Sequence, residues 1–198
     1  MQFLKRTAAA IDGLNDRIGA SIRWLALIMV LVGAFNALAR YATRYTDVSL
    51  SSNAYLDLQW YFFSLIFLLG AAYGLNHDVH VRVDVLYATL SRKARAWIDL
   101  AGTILFMLPF SLLMLYVSWP AVRNSWSIRE VSPDPGGLPR YPIKAVILVG
   151  FVLLVLQGFS QIVKQVEIIR GPDHAPPEPD AETVPGIPEG DHGHGGHL

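Results

Sequence analysis

The sequence predicts an all-α integral membrane protein: a bundle of four transmembrane helices, with amphipathic surface helices at the N-terminus and in the inner loop and a disordered C-terminal tail. Three observations predict it. Hydrophobic residues make up 53% of the 198 and charged residues only 16%, which leaves too little charge for the water-facing surface of a soluble domain. Four uncharged stretches approach the length of about 20 residues that a helix needs to cross a hydrocarbon core of about 30 Å. None alternates with the period of two that a barrel strand requires, and backbone in lipid must satisfy its own hydrogen bonds, so helices remain.

In chain order, residues 1–21 place Phe3, Leu4, Ala8, Ile11, Leu14 and Ile18 at helical spacing among Lys5, Arg6, Asp12, Asp16 and Arg17, the pattern of an amphipathic helix on the inner membrane surface. The membrane domain then occupies residues 22–170, with spans at about 22–40, 56–76, 96–119 and 143–163. Its first uncharged run, Trp24 to Ala39, is short, but Arg23 can snorkel and Ile18 to Ile22 extend the apolar face. No A-x-A cleavage pattern follows Ala39, so the segment reads as a retained anchor. Between the second and third spans, Val83, Leu86, Tyr87 and Leu90 form a short apolar stripe, with Asp84 and Ser91 as candidate helix caps. Residues 171–198 are rich in Pro and Gly and nearly devoid of large apolar side chains, so burial cannot offset their ordering entropy and a disordered tail is expected.

Trp24, Trp60, Trp97 and Trp119 fall at proposed span ends, where an indole sits in the headgroup layer. The N-terminal segment, the second loop and the C-terminal flank carry ten of the 16 Lys and Arg residues; the first and third loops, with Arg40, Arg44, Arg123, Arg129, Arg140 and Lys144, carry six. The positive-inside rule then places both termini in the cytoplasm.

Little in the chain resembles catalytic machinery. Cys is absent, which excludes thiol nucleophiles, thiolate metal sites and disulfides. All six His lie in loops or the tail, so a transmembrane haem is not expected. His77, Asp78 and His80 are close in sequence but too few for a metal site, and no metal or cofactor is expected. The main polar side chains at membrane depth are Asn36, Gln59, Gln157 and Gln161, read as hydrogen-bonding between helices, with Asp99 one turn inside the third span and within reach of Arg95 and Arg92. Gly70 and Gly74 form a G-x-x-x-G, a candidate helix-packing surface, and Pro109 is expected to kink the third span. The third loop, Ser118 to Tyr141, combines Trp, Pro and Gly with Arg123, Arg129, Glu130, Asp134 and Arg140, a composition suited to docking a partner on the outer side.

These residues resemble a known family. The stretch from Gln59-Trp60-Tyr61-Phe62-Phe63 through Gly70-Ala71-Ala72-Tyr73 is similar to the small membrane subunit of tripartite ATP-independent periplasmic (TRAP) transporters, the DctQ family. So are His80-Val81-Arg82-Val83-Asp84-Val85-Leu86-Tyr87, Ser118-Trp119-Pro120 and Gly137-Leu138-Pro139-Arg140-Tyr141-Pro142-Ile143-Lys144. The resemblance covers roughly residues 15–170 and leaves out the tail. It implies a bacterial inner-membrane complex of a periplasmic solute-binding protein, a large multi-span subunit that carries a small organic acid with sodium, and this chain as a non-catalytic scaffold between them. Arg82 and Asp84, which can hydrogen-bond across helix ends, are read with Asp99 as a candidate structural motif at the inner interface, and the outer-loop residues named above as candidates for docking the binding protein. The alternatives are a stand-alone small transporter and an assembly factor of another membrane complex. The first would require ionisable clusters at membrane depth, built by repeats that the chain lacks. The substrate stays open, since the residues that select it would belong to the partners.

Overall fold

Each of the four apolar stretches is helical in the computed structural model, which describes residues 2–45, 51–77, 79 and 90–171. The first, second and fourth crossings are the single helices α1 (Gln2–Ala42), α2 (Asn53–Asn76) and α5 (Tyr141–Arg170). The third is composite: α3 (Arg92–Gly102), a π-helical segment (Thr103–Met107) and α4 (Leu108–Ser127) follow one another without a break. All four are long and apolar enough to cross a membrane, and no strand occurs among the described residues beyond an isolated Val131–Pro139 bridge. The helix starts follow local chemistry. Ser52 Oγ accepts the Ala54 N–H and Ser91 Oγ the Ala94 N–H, and Pro142 occupies the first turn of α5, where its missing N–H costs nothing.

Residues 1–21, a separate unit in the sequence reading, are continuous with the first span. At about 1.5 Å per residue the 41-residue α1 is about 60 Å long, well beyond the about 40–45 Å of a bilayer with its headgroups. Ala8, Ile11, Asn15, Gly19 and Ile22 are buried along one side, whereas Phe3, Leu4 and Leu14 remain exposed. The side with Ala8, Ile11, Asn15, Gly19 and Ile22 therefore packs on the bundle, and Phe3, Leu4 and Leu14 face outward.

The π-helical segment ends just before Pro109. A proline inside a helix removes one N–H donor and crowds the carbonyl four residues earlier, and widening the preceding turn accommodates that carbonyl. The sequence placed the end of the third span near Trp119, but α4 continues through Pro120 to Ser127. Burial of Val122 and Ser125 and the edge-on contact of Trp126 with Tyr141, 4.9 Å between ring centres, hold those last two turns.

Helix α5 is the centre of the bundle, in contact with α1, α2, α3, the π segment and α4. A third of its apolar window is buried (33%), against 11% or less for the other three crossings. Close approach at its middle depends on Gly150, where an added Cβ would stand 2.9 Å from the backbone oxygen of Leu68 on α2. Gly150→Ala is therefore expected to destabilise the bundle by about 1–3 kcal/mol. Gly102, with nothing within 4 Å of a Cβ, should tolerate Ala or gain about 0.5 kcal/mol from its better helix propensity. Reversible unfolding in mixed micelles measures both, and equal effects at the two glycines would contradict this packing.

Candidate functional site

Polar side chains collect at the two ends of the bundle, and the end carrying the chain terminus and the start of α3 holds the larger group. On α5, Gln157, Ser160, Gln161 and Lys164 follow at i, i+3, i+4 and i+7, one helical face. On α1, Asp12, Asn15 and Asp16 present a matching face, and Asn76 closes α2. Gln157 is fully buried and joins all three helices. Its Oε1 accepts from Asn15 Nδ2 at 2.5 Å, and its Nε2 donates to Asp12 Oδ1 and to Asn76 Oδ1, each at 3.0 Å. Ser160 Oγ donates to Asp12 Oδ1 at 2.7 Å. Lys164 Nζ donates to the other oxygen of Asp12 and to Asn76 Oδ1, both at 2.8 Å. Asn76 Nδ2 reaches Asp16 at 3.1 Å, Gln161 Nε2 donates to the Leu75 carbonyl at 3.0 Å, and Lys5 pairs with Glu167 at the rim.

This is a knot with one net anion and one cation at its heart, Asp12 and Lys164, surrounded by amides that satisfy them. Its chemistry is cohesive: donors and acceptors are matched across helices, as buried polar groups require. Asn15 Oδ1 is the member left without a partner. Gly19 adds to the seam, since Tyr73 of α2 lies over it so closely that a Cβ would stand 2.2 Å from the ring.

At the opposite end the loop between α4 and α5 folds back on itself and on the start of α2. Arg140 N–H donates to the Glu130 carbonyl at 2.8 Å and Ser132 N–H to the Leu138 carbonyl at 3.1 Å. Asp57 of α2, 6% exposed, accepts the Leu138 N–H at 2.9 Å, and Tyr61 Oη donates to the Pro139 carbonyl at 2.7 Å. Gly136 adopts a positive φ of 73° at the turn, and a Cβ on Gly137 would collide with Ser132 and with the Asp57 carboxylate. Glu130 pairs with Lys144 in the first turn of α5. The hydrogen bonds from Lys144 and Ser125, with the charges of Lys144 and Arg140, hold the Glu130 carboxyl below its ordinary range.

Arg129 and Asp134 stand exposed on this loop, Arg140 is half-buried and Glu130 is engaged in the Lys144 clasp, whereas Arg123, expected in the loop, is exposed on α4 because the helix runs on to Ser127. Gly70 faces Ile22 across ordinary van der Waals space, 3.8 Å from a Cβ, and Gly74 is buried. Asp99 is half-buried on α3, its carbonyl accepting from Thr103 Oγ1 at 2.8 Å. Arg82 and Asp84, with the stripe from Val83 to Tyr87 and the C-terminal tail, lie outside the described residues. Sequence reasoning found Gln157 and Gln161 but missed their partners Asp12, Asn15, Asn76, Ser160 and Lys164. The available signal was that polar residues recur at helical spacing at the same end of α1 and α5. Asp57 was read only as a span boundary.

Residues 29–168 match the family model described as tripartite ATP-independent periplasmic transporters, DctQ component. No curated protein and no solved structure matches the chain.

Two outcomes follow from the geometry. Gln157→Leu keeps the volume but leaves the Asn15 amide without its partner and takes one donor each from Asp12 and Asn76, and should lower stability by about 1–3 kcal/mol, while Gln161→Leu, which loses a single bond to a carbonyl, should cost less; unfolding titrations compare them. Because the Glu130 carboxyl is lowered in the folded chain, its contribution is present above the ordinary carboxylate range and is lost as pH falls through the folded value. Proteolysis of the α4–α5 loop should accelerate on acidification in that window, and Glu130→Gln should abolish that pH dependence.

Proposed function

Since the chain belongs to the DctQ family, the small membrane component of TRAP transporters, we propose that it is the non-catalytic scaffold of a sodium-coupled importer of small organic acids. It holds the large transport subunit in a fixed frame and helps the periplasmic solute-binding protein dock. The observation that carries the scaffold role is the knot around Gln157: the polar side chains buried there bind one another across α1, α2 and α5. Groups so engaged fix helices in place, whereas a transport path needs polar groups able to exchange partners with a solute. The apolar faces of α1 to α4 stay exposed, among them Leu38, Phe67, Phe106 and Tyr116, and offer the area that a large membrane partner would cover.

By the distribution of Lys and Arg, the Gln157 knot lies on the cytoplasmic side of the bacterial inner membrane and the α4–α5 loop on the periplasmic side. The clasp through Asp57, Tyr61 and Lys144 makes that loop a rigid platform, and Arg129 and Arg140 on it, with Arg123 near the end of α4, are the charges this end of the bundle presents. In this reading sodium and substrate sites belong to the large subunit.

Pull-down of the chain with its operon neighbours in mild detergent should retain a large hydrophobic subunit; its consistent absence would remove the scaffold role. Joint reversal of Arg123, Arg129 and Arg140 to Glu should reduce uptake about tenfold or more when binding protein is limiting and leave assembly intact. Loss of assembly instead would reassign those residues to the interface with the large subunit.

A further inference from the structure

On one side of the α1–α2 pair, towards the α1–α2 loop, the helices leave two adjoining clefts that share Gln59. The one near the helix ends, of about 520 Å³, carries the charged groups: Arg40 and Arg44 stand on its rim, both exposed and without an ion pair among the described residues. Asn36, 4% exposed, contributes its amide to the wall, with Oδ1 lacking a partner. The deeper one, of about 350 Å³, is apolar, with Met29 and Val30 on α1 facing Trp60 and Phe63 on α2. Gln59 lies at the junction because Gly33 opposite has no side chain; a Cβ there would stand 2.2 Å from Gln59 Nε2. That amide makes no hydrogen bond among the described residues.

From this gradient we propose that the α1–α2 groove is a binding site for one anionic phospholipid. Its headgroup phosphate meets Arg40 and Arg44, its ester carbonyls meet the Gln59 amide, and an acyl chain lies between Val30 and Phe63. Three independent features agree. The charges sit at one end only, where two guanidiniums attract an anion. The unpaired amide sits at the polar–apolar junction, the level of the ester groups of a lipid. From Met29 to the end of α1 at Ala42 the helix rises about 20 Å, close to half of the about 40–45 Å of a bilayer with headgroups, so the groove has the length of one lipid in one leaflet. A soluble organic anion would use the cationic end and leave the apolar half empty, and a protein helix would not need the two arginines. By the orientation proposed above the leaflet is the periplasmic one, but the binding itself does not rest on the scaffold reading.

The test uses the full chain purified in mild detergent, delipidated, and titrated with phosphatidylglycerol or with phosphatidylcholine of the same acyl chains, with retained lipid counted by native mass spectrometry. One phosphatidylglycerol per chain is expected, with a preference of about tenfold or more over phosphatidylcholine. The double variant Arg40→Gln/Arg44→Gln should lose that preference, and Ala37→Trp, which fills the cleft from an exposed position, should lose retention of both lipids with an unchanged melting temperature. Undiminished phosphatidylglycerol retention in the arginine variant would overturn the site. So would equal protection by inorganic phosphate alone, which would make it an ion site, or loss of the bound lipid when the large subunit is present, which would give the groove to a protein helix.

Discussion

Inside a bilayer no water is available to hydrogen-bond a stray polar group, so each one buried in this bundle must find its partner on another helix. That constraint organises the chain around α5. Three polar residues on one face of α5, Gln157, Ser160 and Lys164, meet Asp12 and Asn15 of α1 and Asn76 of α2, and Gly150 at its middle lets α2 come against its backbone. Interhelical hydrogen bonds in membrane bundles average about 0.6 kcal/mol each, so the several bonds of this knot together contribute a few kcal/mol. That is comparable to the whole net stability of a domain. The geometry is restrictive as well as stabilising, since Gln157 fits only if three helices arrive at once.

The outer clasp applies the same rule to a loop. A segment with three prolines between Pro133 and Pro139 has few N–H groups to pair and would be stiff yet poorly anchored by itself. Asp57 and Tyr61, both on α2, capture its free backbone groups at Leu138 and Pro139, and Glu130 ties its other limb to α5. In the proposed docking role such fixation would favour binding, because ordering a mobile loop on binding would lower affinity.

The four crossings were legible in the sequence because a hydrocarbon slab imposes length and charge exclusion on each segment separately, and both can be read locally. Ser91 as a cap belongs to the same local chemistry. The knot was not legible, because it depends on which faces of α1 and α5 meet. Asp12 read as the polar side of a surface helix and Lys164 as a flanking charge; only packing shows that they are neighbours. Likewise Gly70 and Gly74 matched a motif, yet the tightest helix approach uses Gly150, a lone glycine with no pattern around it. The extension of α4 past Pro120 was hidden because the proline signal is local and the burial of Val122 and Ser125 that outweighs it is not.

The two ends of the α1–α2 pair then differ for a physical reason. At the Gln157 end Gly19 lies under the Tyr73 ring and Asp16 bonds Asn76, so the seam is closed by protein alone. At the Arg40 end Phe35 and Tyr55 touch edge-on at 5.4 Å, but on one side of that contact the cleft with Asn36 and Gln59 stays open. Protein could have filled it with one large side chain at the exposed Ala37; instead that position is small, and Asn36 Oδ1 and the Gln59 amide beside it have no hydrogen-bond partner among the described residues. A lipid in that cleft would satisfy the polar groups and close the seam, completing at the Arg40 end the packing that the knot completes at the Gln157 end.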